Sequence, residues 1–189
     1  MNLANKLTIL RVLFIPLFLI LLLPVGKDSF LIPISPQNGR AIAAVVFALA
    51  SLTDFLDGYI ARKNNCVTNL GKFLDPIADK LLVISALVAL TQLGEVSAWP
   101  VIIIIAREFI IQGFRILAVN KAVIIPAGMS GKVKTITQIF AVLLILMRNY
   151  PFSVFTDLPV GLYLLWISVL LTIYSGYDYI KVNWIRIKG

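Results

Sequence analysis

Residues 51–80 read SLTDFLDGYIARKNNCVTNLGKFLDPIADK, and four of the chain's nine acidic residues, Asp54, Asp57, Asp75 and Asp79, fall within them. They stand at the ends of two apolar runs, Ala41–Thr53 and Leu81–Gly94. Carboxylates at the edge of apolar surroundings are expensive to keep unless something positive joins them. On a helix, Asp54 and Asp57 stand at i,i+3 and Asp75 and Asp79 at i,i+4, so each pair shares one face. The segment between them, Lys63–Leu70, is polar, with Asn64, Asn65 and Asn69. Gly71 closes a turn there, and Pro76 suits the first turns of a new helix. The stretch therefore predicts a helical hairpin that brings two carboxylate pairs together. Four carboxylates without counter-charge repel one another, and one or two hard divalent cations with oxygen ligands relieve this. Any one of these aspartates alone reads as a solvated helix end or an N-cap. Four at these spacings, with small residues and an arginine among them, predict a site. Gly58 and Ala61 remove bulk beside Asp57, so a nucleotide-sized polar ligand has access to the backbone, and Arg62 offers a forked donor to a phosphate.

The rest of the composition says where such a site sits. Of 189 residues, 60% are hydrophobic and only 14% charged, with a mean hydropathy of +0.96. A soluble domain carries roughly a quarter charged residues, so the apolar excess calls for lipid. One domain, residues 1–189, is the expected organisation. The apolar run after Arg11 is long and no small-residue cleavage site follows it, which predicts a retained first span instead of a cleaved signal. The net charge of +8 points to anionic headgroups and phosphorylated substrates before nucleic acid. The lone Cys66 excludes an internal disulfide or a cysteine-rich metal site. Without histidine, a general base at neutral pH falls first to a carboxylate.

Six hydrophobic segments are expected, near 5–25, 39–63, 72–93, 97–119, 132–149 and 158–182, giving an all-α polytopic membrane protein with six transmembrane helices. Only the last holds an uncharged run of ordinary spanning length, Leu158–Tyr177. The shorter runs, such as Ala41–Thr53, cover about 20 Å of a roughly 30 Å hydrocarbon core. Their charged helical ends must then lie at one membrane face or in a shared polar cavity. With six spans, all of the 17 Lys and Arg except Lys27, Arg40 and Arg148 fall on one side. That bias predicts cytoplasmic termini and an active site at the cytosolic face. The opposite connections are expected at Lys27–Asn38, Leu93–Ala98 and Arg148–Asp157. No internal repeat or low-complexity segment is visible. Lys181, Arg186 and Lys188 read as topology signals, and Trp99, Trp166, Trp184, Tyr150, Tyr163, Tyr174, Tyr177 and Tyr179 mostly as interfacial anchors or lipid-facing packing.

The pattern Asp54-x2-Asp57-Gly58-x2-Ala61-Arg62-x8-Gly71-x3-Asp75-x3-Asp79 resembles, at every defined position, the signature of the CDP-alcohol phosphatidyltransferases. The resemblance implies a six-span, usually dimeric fold in the bacterial cell membrane, with two Mg2+ or Mn2+ ions at the cytosolic face. It implies that Asp54, Asp57 and Asp75 hold one ion and that Asp54, Asp75 and Asp79 hold the second, with Asp79 as the base. It also implies that Gly58, Arg62 and, outside the strict motif, Thr68 contact the CDP-linked lipid, in a CDP-diacylglycerol site that includes Ala61 and Gly71. The chemistry expected is a two-metal in-line displacement with CMP leaving.

Further stretches resemble the branch that makes phosphatidylglycerophosphate from CDP-diacylglycerol and glycerol 3-phosphate: Asn2–Arg11 with Pro16, Ala106–Phe109 with Gly113–Arg115, and Gly131–Thr135. Phe114 departs from that branch, where Leu is expected. A dianionic acceptor agrees with the cations. Arg107 and Arg115 lie eight apart on nearly one helix face, and Lys132 and Lys134 open the fifth segment, so these four are the expected glycerol-phosphate-binding residues. Read more plainly, they are positive-inside signals or interfacial snorkellers. Glu108 is expected to orient an arginine. Two rival functions fit less well. A membrane prenyltransferase would carry its Asp clusters on two well-separated loops, and a divalent-cation transporter would carry acids in mid-span.

Overall fold

The computed structural model of the chain describes residues 3–23, 36–64, 69–120 and 129–188, with side chains described for 10–23, 38–53, 80–118 and 130–184. Among these residues the chain is helical, without strands. The six α-helices are α1 Leu3–Leu22, α2 Pro36–Asn64, α3 Asn69–Gln92, α4 Ala98–Asn120, α5 Met129–Leu146 and α6 Val160–Lys188, with a 3-10 turn at Phe152–Val154 before α6. Each expected segment has become one helix.

The boundaries differ from expectation around Pro36, Gly71 and Pro76. Pro36 opens α2. Its missing N–H falls where a helix leaves N–H groups unpaired anyway, so Asn38 and Gly39 lie inside the helix and not in the preceding connection. Pro76 is not at the start of its helix. α3 begins at Asn69, so Gly71 is already helical and Pro76 lies two turns in, where it has no N–H to give the carbonyl of Lys72. Pro16 does the same within α1.

The helices are longer than their uncharged runs. α2, at 29 residues, extends about 43 Å, beyond a bilayer core of about 30 Å. Among the described residues one stretch, Val160–Trp184 of α6, is both long and apolar enough to cross a membrane, whereas Leu10–Leu22, Asn38–Thr53 and Lys80–Gln92 are shorter apolar helices.

The core runs through all six helices. Phe18 of α1 meets Phe47 of α2 with ring centroids 5.8 Å apart. Ala43, Phe47 and Ala50 line the same face of α2, and Leu82, Ala86, Leu87 and Leu90 of α3 close over it. Val142 and Leu146 of α5 and Leu165 and Val169 of α6 complete the cluster. Gly161 lets α6 start against α5, since a Cβ there would stand 2.8 Å from Ile145 Cγ1 and 3.0 Å from the Ile145 backbone nitrogen. Apolar side chains also cover the outside of the bundle, and several polar ones lie within it. Phe109, Leu170, Tyr174 and Phe155 are exposed, while Arg11, Lys134, Gln138, Thr172, Ser175 and Asn183 are buried.

At the end of the bundle where α2 begins, Arg40 ties three elements. Its guanidinium binds both carboxylate oxygens of Glu95, in the α3–α4 connection, and the carbonyls of Ile145 and Leu146 at the end of α5.

Candidate active site

The aspartate pairs lie on described helical backbone. Asp54 and Asp57 are in α2; Asp75 and Asp79 are in α3. Their side chains lie outside the described residues, as do those of Gly58, Ala61, Arg62 and Gly71, while Thr68 falls in the connection 65–68. Helix bounds alone set their levels. Asp54 precedes the end of α2 by ten residues and Asp79 follows the start of α3 by ten, while Asp57 and Asp75 stand seven and six residues from those ends. At 1.5 Å per residue the outer members lie about 15 Å, and the inner members about 10 Å, from the joined ends. The two pairs thus lie at similar distances along their own helices from the connection 65–68. Carboxylate oxygens are the donors that hard divalent cations take.

Lys80, one residue beyond Asp79, donates from Nζ to Gln112 Oε1 on α4 at 3.1 Å. This bond holds that level of α3 against the stretch of α4 that carries Arg107 and Arg115.

Arg107 donates through one terminal nitrogen to Ser175 Oγ on α6, 2.6 Å away, and through the other to Glu108 Oε1 at 3.2 Å. Glu108 also accepts an ion pair from Lys134 of α5. All three charged side chains are largely buried, with between 5% and 14% of the side chain exposed. Charge in such a place requires partners, and Glu108 supplies one for both cations. This carboxylate therefore joins α4 to α5, and Arg107 carries the link on to α6 through Ser175. The expectation that Glu108 orients an arginine agrees with this geometry, and the lysine is an addition to it.

Arg115 lies two turns further along α4, its guanidinium carbon 6.0 Å from the centre of the Tyr179 ring. Phe114 meets Tyr179 edge-on at 6.1 Å and stacks on Trp184 at 6.3 Å. The departure at Phe114 is thus part of an aromatic wall beside Arg115, and Tyr179 and Trp184 belong to that wall. The Nε atoms of Arg107 and Arg115 are both buried without a hydrogen-bond partner. Buried unpaired donors destabilise a site by roughly 1–3 kcal/mol each.

The four expected acceptor-binding cations do not all converge. Arg107, Arg115 and Lys134 face the α4–α5–α6 interior, but Lys132 is exposed. Two residues along a helix is a turn of about 200°, so Lys132 and Lys134 lie on opposite sides of α5.

α6 carries polar residues besides its expected aromatic anchors. Ser168, Thr172 and Ser175 form a buried polar stripe there. Gln138 of α5 donates to Thr172 Oγ1 at 3.1 Å, and Thr172 in turn donates to the Ser168 carbonyl. The 4, 3, 4 spacing of Ser168, Thr172, Ser175 and Tyr179 in an otherwise apolar run was the available signal. Arg11 is also buried, at 1% exposure, on α1.

Residues 1–174 match the family model of the CDP-alcohol phosphatidyltransferases. Several relatives named CDP-diacylglycerol–glycerol-3-phosphate 3-phosphatidyltransferase are similar along the whole chain. The protein of Bacillus subtilis strain 168 is 44% identical over 195 residues, covering 99% of this chain and 97% of its own. That of Rickettsia bellii is 42% identical over 95% of this chain and 94% of its own. That of Wigglesworthia glossinidia brevipalpis is 31% identical over 97% and 96%.

Proposed function

The chain belongs to the CDP-alcohol phosphatidyltransferase family, and from that premise we propose that it transfers the phosphatidyl group of CDP-diacylglycerol to glycerol 3-phosphate, releasing CMP and phosphatidylglycerophosphate. The acceptor is the part the geometry speaks to. The observation that supports it is the buried cluster of Arg107, Lys134 and Glu108, its α4 members on a helix that the Lys80–Gln112 bond ties to α3 one residue beyond Asp79. A phosphate dianion is the acceptor group that buried guanidinium and ammonium groups bind through charge-assisted hydrogen bonds, which a neutral alcohol does not offer.

Asp54, Asp57, Asp75 and Asp79 would hold the divalent cations, two Mg2+ or Mn2+ ions. Bound there, such ions draw charge off the pyrophosphate and stabilise the departing phosphate of CMP. The protein's own residues do the rest. Arg62 and the small residues Gly58, Ala61 and Gly71, with Thr68, receive the cytidine diphosphate part of the donor. Arg107, Arg115 and Lys134 hold the acceptor's phosphate, and Lys132 lends longer-range attraction from the surface. Asp79 takes the proton from the acceptor's free primary hydroxyl as its oxygen bonds to the phosphorus of the phosphatidyl group, and the bond from that phosphorus to CMP breaks.

The setting is a single membrane domain of six spans, with both termini and the site at the cytosolic face, as a homodimer. The extensive exposed apolar surface supports the lipid setting, and the asymmetry of Lys and Arg supports the orientation.

The test is direct. Purified protein given labelled CDP-diacylglycerol should release CMP when glycerol 3-phosphate is added and not when inositol or serine is. Release driven better by an uncharged alcohol overturns the acceptor assignment.

A further inference from the structure

We propose that Ser175 and Gly176 of α6 are positioning residues that aim Arg107 and thereby set the affinity for the acceptor's phosphate. The inference rests on the acceptor reading given above. Both residues lie beyond the stretch 1–174 that matches the family model.

An arginine side chain has four rotatable bonds and explores many directions, so a phosphate site needs something to fix its fork. Two features of α6 do this. Ser175 Oγ accepts from one terminal nitrogen of Arg107 at 2.6 Å, and its own hydroxyl points back to the Thr172 carbonyl, 3.5 Å away. The hydroxyl is therefore oriented as an acceptor for the guanidinium. Gly176 supplies the room. A Cβ at that position would stand 3.2 Å from Arg107 Cγ, 3.3 Å from Nε and 3.8 Å from Cδ. The stem of Arg107 thus lies along the α6 backbone where any other residue would push it away. Both residues are buried, Ser175 at 2% exposure.

The count of donors leaves room for a ligand. Each terminal nitrogen of a guanidinium carries two N–H groups. Ser175 takes one from the first nitrogen and Glu108 one from the second. One N–H on each remains for the paired oxygens of a phosphate, the bidentate arrangement in which arginine binds best. Glu108 is held in turn by Lys134. The fork is clamped from α4 and α5 through Glu108 and from α6 through Ser175 and Gly176. A displacement of a few tenths of an ångström, which an added methyl would impose, spoils that alignment without removing any charge.

The experiment is a mutant cycle on the full-length enzyme with both Michaelis constants measured. Ser175→Ala and Gly176→Ala are each expected to raise KM for glycerol 3-phosphate about 10-fold, the effect of losing or misaiming one charge-assisted hydrogen bond, with KM for CDP-diacylglycerol unchanged. In an Arg107→Ala background the same substitutions should add nothing, because no guanidinium remains to be aimed. Equal losses for both substrates, or the same loss with and without Arg107, overturn the proposal in favour of simple packing. Ser175→Ala adds no bulk, so it decides the matter even if Gly176→Ala lowers the yield of folded protein. If Arg107→Ala itself leaves the acceptor KM unchanged, the acceptor reading falls and the positioning role with it. If Arg107→Ala raises that KM and the α6 variants do not, only the positioning role is lost.

Discussion

Arg40 meets both carboxylate oxygens of Glu95, 55 residues along the chain, while two further N–H groups reach the carbonyls of Ile145 and Leu146. One guanidinium thereby closes the beginning of α2, the α3–α4 connection and the end of α5. Breaking a well-buried pair from one side leaves the other charge and the helix-end carbonyls unsatisfied, which destabilises by about 3–5 kcal/mol. Glu95 is one-third exposed, so the lower part of that range is expected. Arg40→Ala should lower the thermal unfolding midpoint in detergent by several degrees, while the KM values of the folded fraction stay unchanged. A large shift in either KM with no loss of stability would contradict a purely structural role.

Substitution of the aspartates should separate chemistry from folding. Asp54→Asn and Asp75→Asn are each expected to abolish turnover while leaving expression and membrane insertion intact, and excess chelator should do so reversibly. Radiochemical CMP release and membrane fractionation measure the two sides of this. Substantial turnover in either variant, or in chelator, refutes the proposed metal centre.

The two lysines at the start of α5 should behave differently. Lys134→Ala removes a buried partner of Glu108 and is expected to reduce kcat/KM for glycerol 3-phosphate about 10- to 100-fold. Lys132→Ala removes an exposed charge and should stay within about 2-fold, with an effect that fades as salt is raised. Arg62→Ala should show its loss on CDP-diacylglycerol instead. Steady-state kinetics with each substrate varied in turn would distinguish these patterns.

The orientation in the membrane is open to labelling. In a Cys66→Ser background, a cysteine replacing exposed Ser153 should react with an impermeant reagent in intact cells, and one replacing exposed Lys181 should react only after the cells are opened. Both side chains are accessible, so protection reports the bilayer and not burial. The reverse pattern would invert the proposed topology.

The six helices were legible because apolar runs bounded by charge are a local signal, and Leu158–Tyr177 stood out because it lacks any charge. Helix ends were less legible. Pro36 and Pro76 break helices only where an N–H is needed, and the chain shows both a proline that opens a helix and one that interrupts it. At the site, the aspartate motif and the charges of α4 could be picked out by residue type and spacing. Their partners could not. Ser175 meets Arg107 across 68 residues and Gln138 meets Thr172 across 34, and no local pattern states which turn of one helix faces which turn of another. The same reason hid the difference between Lys132 and Lys134, since helical phase becomes exposure only once a neighbour is in place.

Arg107 and Arg115 bring two guanidinium groups with buried, unpartnered Nε atoms to nearly one face of α4, and a phosphate bound there makes the acceptor part of the enzyme's folding thermodynamics. A ligand that binds the native state alone stabilises it by about 2.7 kcal/mol when it is at 100 times its dissociation constant. Inorganic phosphate, which lacks the attacking hydroxyl, should therefore protect the enzyme from thermal unfolding while inhibiting it. Replacing Arg107 with alanine should abolish both effects in parallel. The free enzyme and the substrate-loaded enzyme would then differ in durability as well as occupancy, so that a cell short of glycerol 3-phosphate would hold a less stable pool of the protein that consumes it.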